Sequence, residues 1–117
     1  MFQVDGTTIR MSRGDTGTVT IGVSGYTFES NDRALFSMRN KGGSIIRQEA
    51  YEIENNEVTI AFVNSDTDSL NPGDYEWDIR FIIGPKYDEN QVIYDGDEVI
   101  TPNLPMSIQL LPTVGQI

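Results

Sequence analysis

The sequence predicts an all-β fold: a β-sandwich of seven to nine strands built from one domain over residues 1–117. Three observations predict it. Val and Ile number 21 against 8 Ala and Leu, and ten Thr add to the β-branched total. These side chains fit a pleated, half-buried surface and lose rotamer freedom in helices. Five segments alternate between apolar and polar residues with period two, the mark of sheets with one wet face. Strand-sized runs are separated by turn residues throughout.

Taken in chain order, 7–11 reads as a weak strand, followed by a turn at Arg13-Gly14-Asp15. In 16–23, Val19, Ile21 and Val23 alternate with Thr18, Thr20 and Gly22. In 34–39 the inner face is Ala34, Phe36 and Met38. Asn40-Lys41-Gly42-Gly43 turns the chain into a weak strand within 44–53, and Asn55-Asn56 turns it again. In 57–63, Val58, Ile60 and Phe62 face inward. Residues 65–70 differ, reading as one helical turn N-capped by Ser65 or Asp66 and ended by Pro72-Gly73. Tyr75, Trp77, Ile79 and Phe81 then alternate with Glu76, Asp78, Arg80 and Ile82 in 74–83. Gly84-Pro85 and Asp95-Gly96 read as turns around a weak strand at 91–94. Leu104, Met106, Ile108 and Leu110 mark the last strand, 104–111, and 112–117 is a connector or flexible tail.

The composition restricts chemistry. With no Cys there are no disulfides, thiolate metal sites or cysteine nucleophiles, and with no His the usual general base and zinc ligand are missing. No phosphate loop, dinucleotide fingerprint or zinc spacing is present. The expectation is a protein that is not an enzyme, with no catalytic, cofactor-binding or metal-ligating residue and no cofactor.

The net charge of −10 is unevenly spread: four acids and six bases up to Arg47, then fourteen acids and two bases, Arg80 and Lys86. A phosphate-rich ligand is repelled by the second part, so no nucleic-acid partner is expected. The asymmetry is read either as an acidic solvated surface or as a two-faced module whose basic end meets an acidic neighbour. The first residues lack a basic segment followed by an apolar run, and no apolar stretch approaches the ~20 residues of a membrane span, so no membrane partner is expected.

Four clusters invite sharper readings. Asp66, Asp68 and Asp74 suggest calcium, but the loop spacing and terminal Glu are missing, and capping and solvation explain them. Asp88, Glu89, Asp95, Asp97 and Glu98 form an acidic patch near a hairpin, with nothing that raises a carboxyl pKa for hydrolysis. Arg13-Gly14-Asp15 matches an adhesion tripeptide, and its residues are ordinary turn usage. The Tyr75–Trp77–Ile79–Phe81 stripe is read as sandwich core rather than an aromatic sugar platform, because Glu76, Asp78 and Arg80 already form the wet face.

Two segments carry a resemblance. Ile9-Arg10-Met11-Ser12-Arg13-Gly14-Asp15-Thr16-Gly17-Thr18-Val19-Thr20-Ile21 is a turn opening an alternating strand. Asp66-Thr67-Asp68-Ser69-Leu70-Asn71-Pro72-Gly73-Asp74-Tyr75-Glu76-Trp77-Asp78-Ile79-Arg80 has the form D-T-x-x-L-x-P-G-x-Y-x-(W/Y)-D-I-R. With Leu35-Phe36-Ser37-Met38-Arg39 between them, the pair resembles the immunoglobulin-like structural modules of tailed phages and prophages of Gram-positive bacteria. It is similar in particular to the N-terminal module of siphophage upper baseplate proteins. The resemblance implies an immunoglobulin-like antiparallel β-sandwich and a non-enzymatic virion structural protein of a tail, baseplate or fibre-associated structure, here as a small stand-alone component or accessory module. It implies other virion structural proteins as partners, a possible homo-oligomer, and residence in the virion after synthesis in the bacterial host cytoplasm. The alternative expectation is a carbohydrate- or host-surface-binding β-sandwich module.

Overall fold

Alternating apolar residues close into sheets only when partner strands cover them, and the chain supplies those partners from distant parts of its length. The computed structural model describes residues 1–101 and 106–113. The elements are β1 (Phe2–Asp5), β2 (Thr8–Ser12), β3 (Gly17–Gly22), β4 (Arg33–Arg39), β5 (Ile45–Glu52), β6 (Glu57–Phe62), α1 (Asn64–Thr67), β7 (Gly73–Tyr87), β8 (Ile93–Ile100) and β9 (Met106–Leu111).

One sheet has the order β1-β2-β9-β7-β4-β5, with β8 added to β7, and a two-stranded sheet, β3-β6, packs across it. The order β9-β7-β4-β5 matches the G-F-C-C′ arrangement of an immunoglobulin sandwich, with β3-β6 in place of its B and E strands. Every pairing is antiparallel except β2 with β9, which run parallel from Ile9↔Ile108 to Ser12↔Leu111.

The core lies between the two sheets. Val19, Val58, Ile60 and Phe62 from the small sheet meet Ile9, Met11, Phe36, Met38, Tyr75, Trp77, Ile79 and Phe81 from the large one. Phe36 stands edge-on to Phe62, with ring centres 5.9 Å apart, and leans on Trp77 at the same distance. Trp77 is 4% exposed, so the aromatic stripe is core as expected. Two polar ends are paired. Trp77 Nε1 donates to the Thr7 carbonyl at 3.2 Å. Tyr75 Oη donates to the Asn71 carbonyl at 2.6 Å, the back-bond of a tyrosine corner at the start of an F strand.

Four expectations are corrected. The short β1 was not anticipated, because two apolar residues are too few to show a period; a hairpin turn at Gly6 (φ 61°) pairs it with β2. The helical turn begins earlier than expected, with Val63 as the N-cap residue. Asp66 instead sits inside the turn and its Oδ2 accepts the Val63 N–H at 2.7 Å. Gly84-Pro85 and Asp95-Gly96 are not turns but paired positions within β7 and β8, with Pro85 opposite Gly96. The turn between these strands is at Asp88, whose Oδ1 accepts the Asn90 and Val92 N–H groups. In the last strand Met106, Ile108 and Leu110 are buried as expected. Leu104 lies outside the described residues, as do residues 114–117 of the tail, while Pro112 and Thr113 are exposed.

Candidate functional site

β7 is 15 residues long and changes role along its length. Residues 73–77 pair with β9 and residues 76–82 pair with β4. Beyond Ile82, among the described residues, the strand has β8 alone as its partner. The result is a two-stranded arm continuing out of the large sheet. It carries Asp88, Glu89, Asp95, Asp97 and Glu98 against one base, Lys86, which reaches Asp97 at 3.8 Å. Tyr87, Val92, Tyr94 and Val99 are exposed on it, Tyr94 by 67%. An arm that offers tyrosines and valines within an acidic surround has the composition of a contact surface, where aromatic side chains supply most of the binding energy.

The arm is held at its root. Asp32, on the loop before β4, is 2% exposed. Its Oδ2 accepts the Glu29 N–H at 2.7 Å and its Oδ1 accepts the Gly84 N–H at 3.0 Å. Gly84 has φ 61°, and the Asp97 side chain lies over it. Phe28 packs on Phe81 at 5.6 Å from the same loop. None of this signature is visible as a motif; a Gly inside an alternating strand followed by acids is the only trace.

The other singled-out residues are structural. Gly14 of Arg13-Gly14-Asp15 is buried, donates its N–H to Thr67 Oγ1 at 2.8 Å and accepts from Asn64 Nδ2 at 3.0 Å. The tripeptide therefore fastens the β2–β3 turn to α1. Asp15 Oδ2 accepts the Ser12 N–H and the Met1 ammonium. Burial pushes the Asp15 carboxyl up, but these hydrogen bonds and the ammonium charge outweigh it and hold the group below its ordinary value of 3.8. Asp66 serves α1, Asp74 pairs with Lys41 at 3.6 Å, and Asp68 is exposed. No group of three or more carboxylates among the described residues is placed to hold a metal ion. No helix among them is long and apolar enough to cross a membrane.

Four of the six bases of the first part of the sequence meet carboxylates. Arg10 pairs with Asp5, Arg39 with Glu76 and Lys41 with Asp74. Arg47 lies over two rings, 5.1 Å from the centre of Phe36 and 4.9 Å from that of Phe62. Its Nη2 donates to Tyr51 Oη, Glu49 Oε2 and the Ala61 carbonyl, and its Nη1 is 3.6 Å from Asp66 Oδ2. Of the fourteen acids of the second part, five lie on the arm and nine elsewhere. Compared with family models, with curated proteins and with solved structures, the chain matches none.

Proposed function

We propose that this chain is a non-enzymatic structural module that works by protein–protein contact in a phage or prophage tail, baseplate or fibre-associated structure. The observation that carries the reading is the β7–β8 arm: an acidic, tyrosine-bearing hairpin latched to a sandwich, with no further strand beside it among the described residues. Hairpins of this kind dock by adding edge backbone and side-chain anchors to a neighbour. The acids select a basic acceptor surface and speed encounter. The resemblance of the 9–21 and 66–80 segments to phage immunoglobulin-like modules supplies the setting. Other virion structural proteins are the partners in this reading, homo-oligomers included, and the virion is its location.

The alternative is a carbohydrate- or host-surface-binding β-sandwich module; Trp77 is buried and does not serve it, whereas Tyr26, Tyr87 and Tyr94 are exposed aromatics. Mass spectrometry of particles purified from an induced host tests the leading reading. The chain is expected among the virion proteins, and Tyr87→Ser with Tyr94→Ser is expected to lower its incorporation without lowering the melting temperature of the isolated protein. Its absence from purified particles overturns the reading.

A further inference from the structure

A strand at a sheet edge can accept a strand from another chain, and charged side chains are a usual guard against it. Among the described residues, the strands at the edges of the two sheets are β1, β5 and β8 in the large one and β3 and β6 in the small one. β1 carries Asp5, β5 carries Arg47, Glu49 and Glu52, β6 carries Glu57, and β8 carries Asp95, Asp97 and Glu98. β3 carries no charge, and no Asp, Glu, Lys or Arg occurs from Thr16 to Phe28.

The hydrogen-bond ladder shows which backbone groups of β3 face outward. Residues of an antiparallel pair alternate between those that exchange bonds with the partner strand and those that point away from it. The Val23 N–H donates to the Asn56 carbonyl at 2.9 Å. Counted back from there in steps of two, the bonded pairs are Ile21↔Val58, Val19↔Ile60 and Gly17↔Phe62. Thr18, Thr20 and Gly22 therefore turn their N–H and C=O groups away from β6. No backbone hydrogen bond among the described residues reaches these groups.

A groove of about 240 Å³ runs beside this edge, between Thr20 and Ile21 on one side and Val4 and Thr7 of the β1–β2 hairpin on the other. Val4 is exposed, Ile21 is half-buried, and Trp77 and Met106 keep a small part of their surface open at its base. An apolar cavity of about 150 Å³ already accepts a benzene-sized group, so the groove has room for one large apolar side chain. The Phe2 ring lies against Gly17, so β1 covers the start of the edge. That leaves space for a single extended segment rather than for a second sandwich. Charge selects the segment. No charged side chain lines the groove, so a Lys or Arg entering it loses its hydration without gaining a partner. A strongly acidic segment is repelled by a chain of net charge −10.

We propose that the β3 edge takes up one uncharged, extended segment of a partner protein as a third strand of the β3–β6 sheet. The segment bonds to the outward groups of Thr18, Thr20 and Gly22 and lays one large apolar side chain in the groove, the pattern of strand addition with a side-chain pocket. This edge belongs to the small sheet and the arm to the large one, so the proposal does not depend on the assembly reading.

The test is an amide-resolved NMR titration of the full chain with the blocked peptide Ser-Thr-Thr-Leu-Thr-Thr-Ser and its Phe and Met analogues at the central position. Saturable shifts centred on Thr18, Thr20, Gly22 and Val4 are expected with at least one of them. Replacing the central residue by Ser is expected to weaken binding about tenfold or more, through the lost apolar burial, and replacing it by Lys or Glu to abolish it. Thr20→Pro removes an N–H that β6 does not use, and is expected to weaken binding about fivefold or more, the worth of one backbone hydrogen bond. Val4→Glu, at an exposed position, is expected to do so at unchanged melting temperature, and it decides the matter if Thr20→Pro does not fold. The proposal is overturned if no peptide gives saturable shifts, if the shifts centre elsewhere, if the charged peptides bind as well, or if the folded variants bind like the parent. It is also overturned if the same amides shift on dilution of the protein alone, which makes a second copy the occupant. Nuclear Overhauser contacts from Leu104, Val114 or Ile117 to Ile21 or Val4 in the free protein overturn it too, by making the chain its own occupant. Failure here leaves the particle experiment untouched, because that one reads the arm.

Discussion

The guanidinium of Arg47 shows how one residue's context replaces its apparent chemistry. In the sequence it is the last base of a basic half; in the fold it is a lid over Phe36 and Phe62 that also gathers Glu49, Tyr51 and Asp66. Removing it uncovers two rings, leaves the Tyr51 hydroxyl and the Ala61 carbonyl without their Arg47 donor, and takes the ion-pair partner from Asp66. Arg47→Ala is therefore expected to destabilise by about 3–5 kcal/mol, the cost of breaking a largely buried pair, and Arg47→Met by less because its stem still covers the rings. Urea denaturation of both variants checks this. Tyr51 adds a pH signature. Desolvation raises its pKa above 10.0, and the Glu49 charge adds to this while Arg47 opposes it. The folded state holds the proton more tightly, so this stability is complete below pH 10 and is lost as pH rises through the folded value. Tyr51→Phe is expected to flatten that alkaline limb of the melting temperature. Asp15 acts in the opposite sense. Its folded pKa lies below 3.8, so its contribution is present above that value and falls away as pH drops through the folded one. Asp15→Asn is expected to remove that acid limb. Trp77→Ala, with the ring deep in the core, is expected to cost about 3–5 kcal/mol.

At the scale of elements, the arm depends on two positions outside its tip. Gly84 needs a left-handed φ and the space that Asp97 fills, and Asp32 holds its N–H from another loop. Gly84→Ala is expected to destabilise by about 1–3 kcal/mol, as a strained backbone position does. Asp32→Ala removes both hydrogen bonds of the latch. Hydrogen exchange is expected to quicken at Gly84 and along β8, with β4 and residues 75–79 still protected. Uniform protection across the arm and core in that variant would show the latch to be idle. The alternating runs of β3, β4, β6, β7 and β9 were legible because each repeats its period over enough residues to separate inside from outside. β1 and β8 were not. The first is too short for a period, and in the second Asp95-Gly96 carries the local chemistry of a turn while cross-strand pairing to Lys86 and Pro85 overrides it. The helix cap was misplaced for a similar reason: Asp66 was read as capping forward, and it reaches back.

For the whole molecule, a compact 117-residue chain has an expected radius of gyration of about 13.4 Å, and the observed value is 14.9 Å with extents of 46 × 31 × 23 Å. The difference fits an arm extending from a sandwich. With five acids against one base, the arm carries a local negative field. Binding to a basic acceptor is expected to weaken as salt rises, since the screening length falls to about 10 Å at 0.1 M. Asp95→Asn, Asp97→Asn and Glu98→Gln together are expected to slow association more than they speed dissociation. An ionic-strength series of binding to purified particles measures both.

The class of fold, the inward residues of the principal strands and the burial of Trp77 follow from local periodicity and from the need to cover apolar faces, and were legible before any contact was known. The sequence also set the balance of charge and the side-chain chemistry on hand. Which strands are neighbours, the parallel run of β2 beside β9 and the closing of the core by Arg47 emerged only from the assembled fold. Those outcomes depend on contacts between residues far apart in the chain, and no local pattern records who will sit opposite whom.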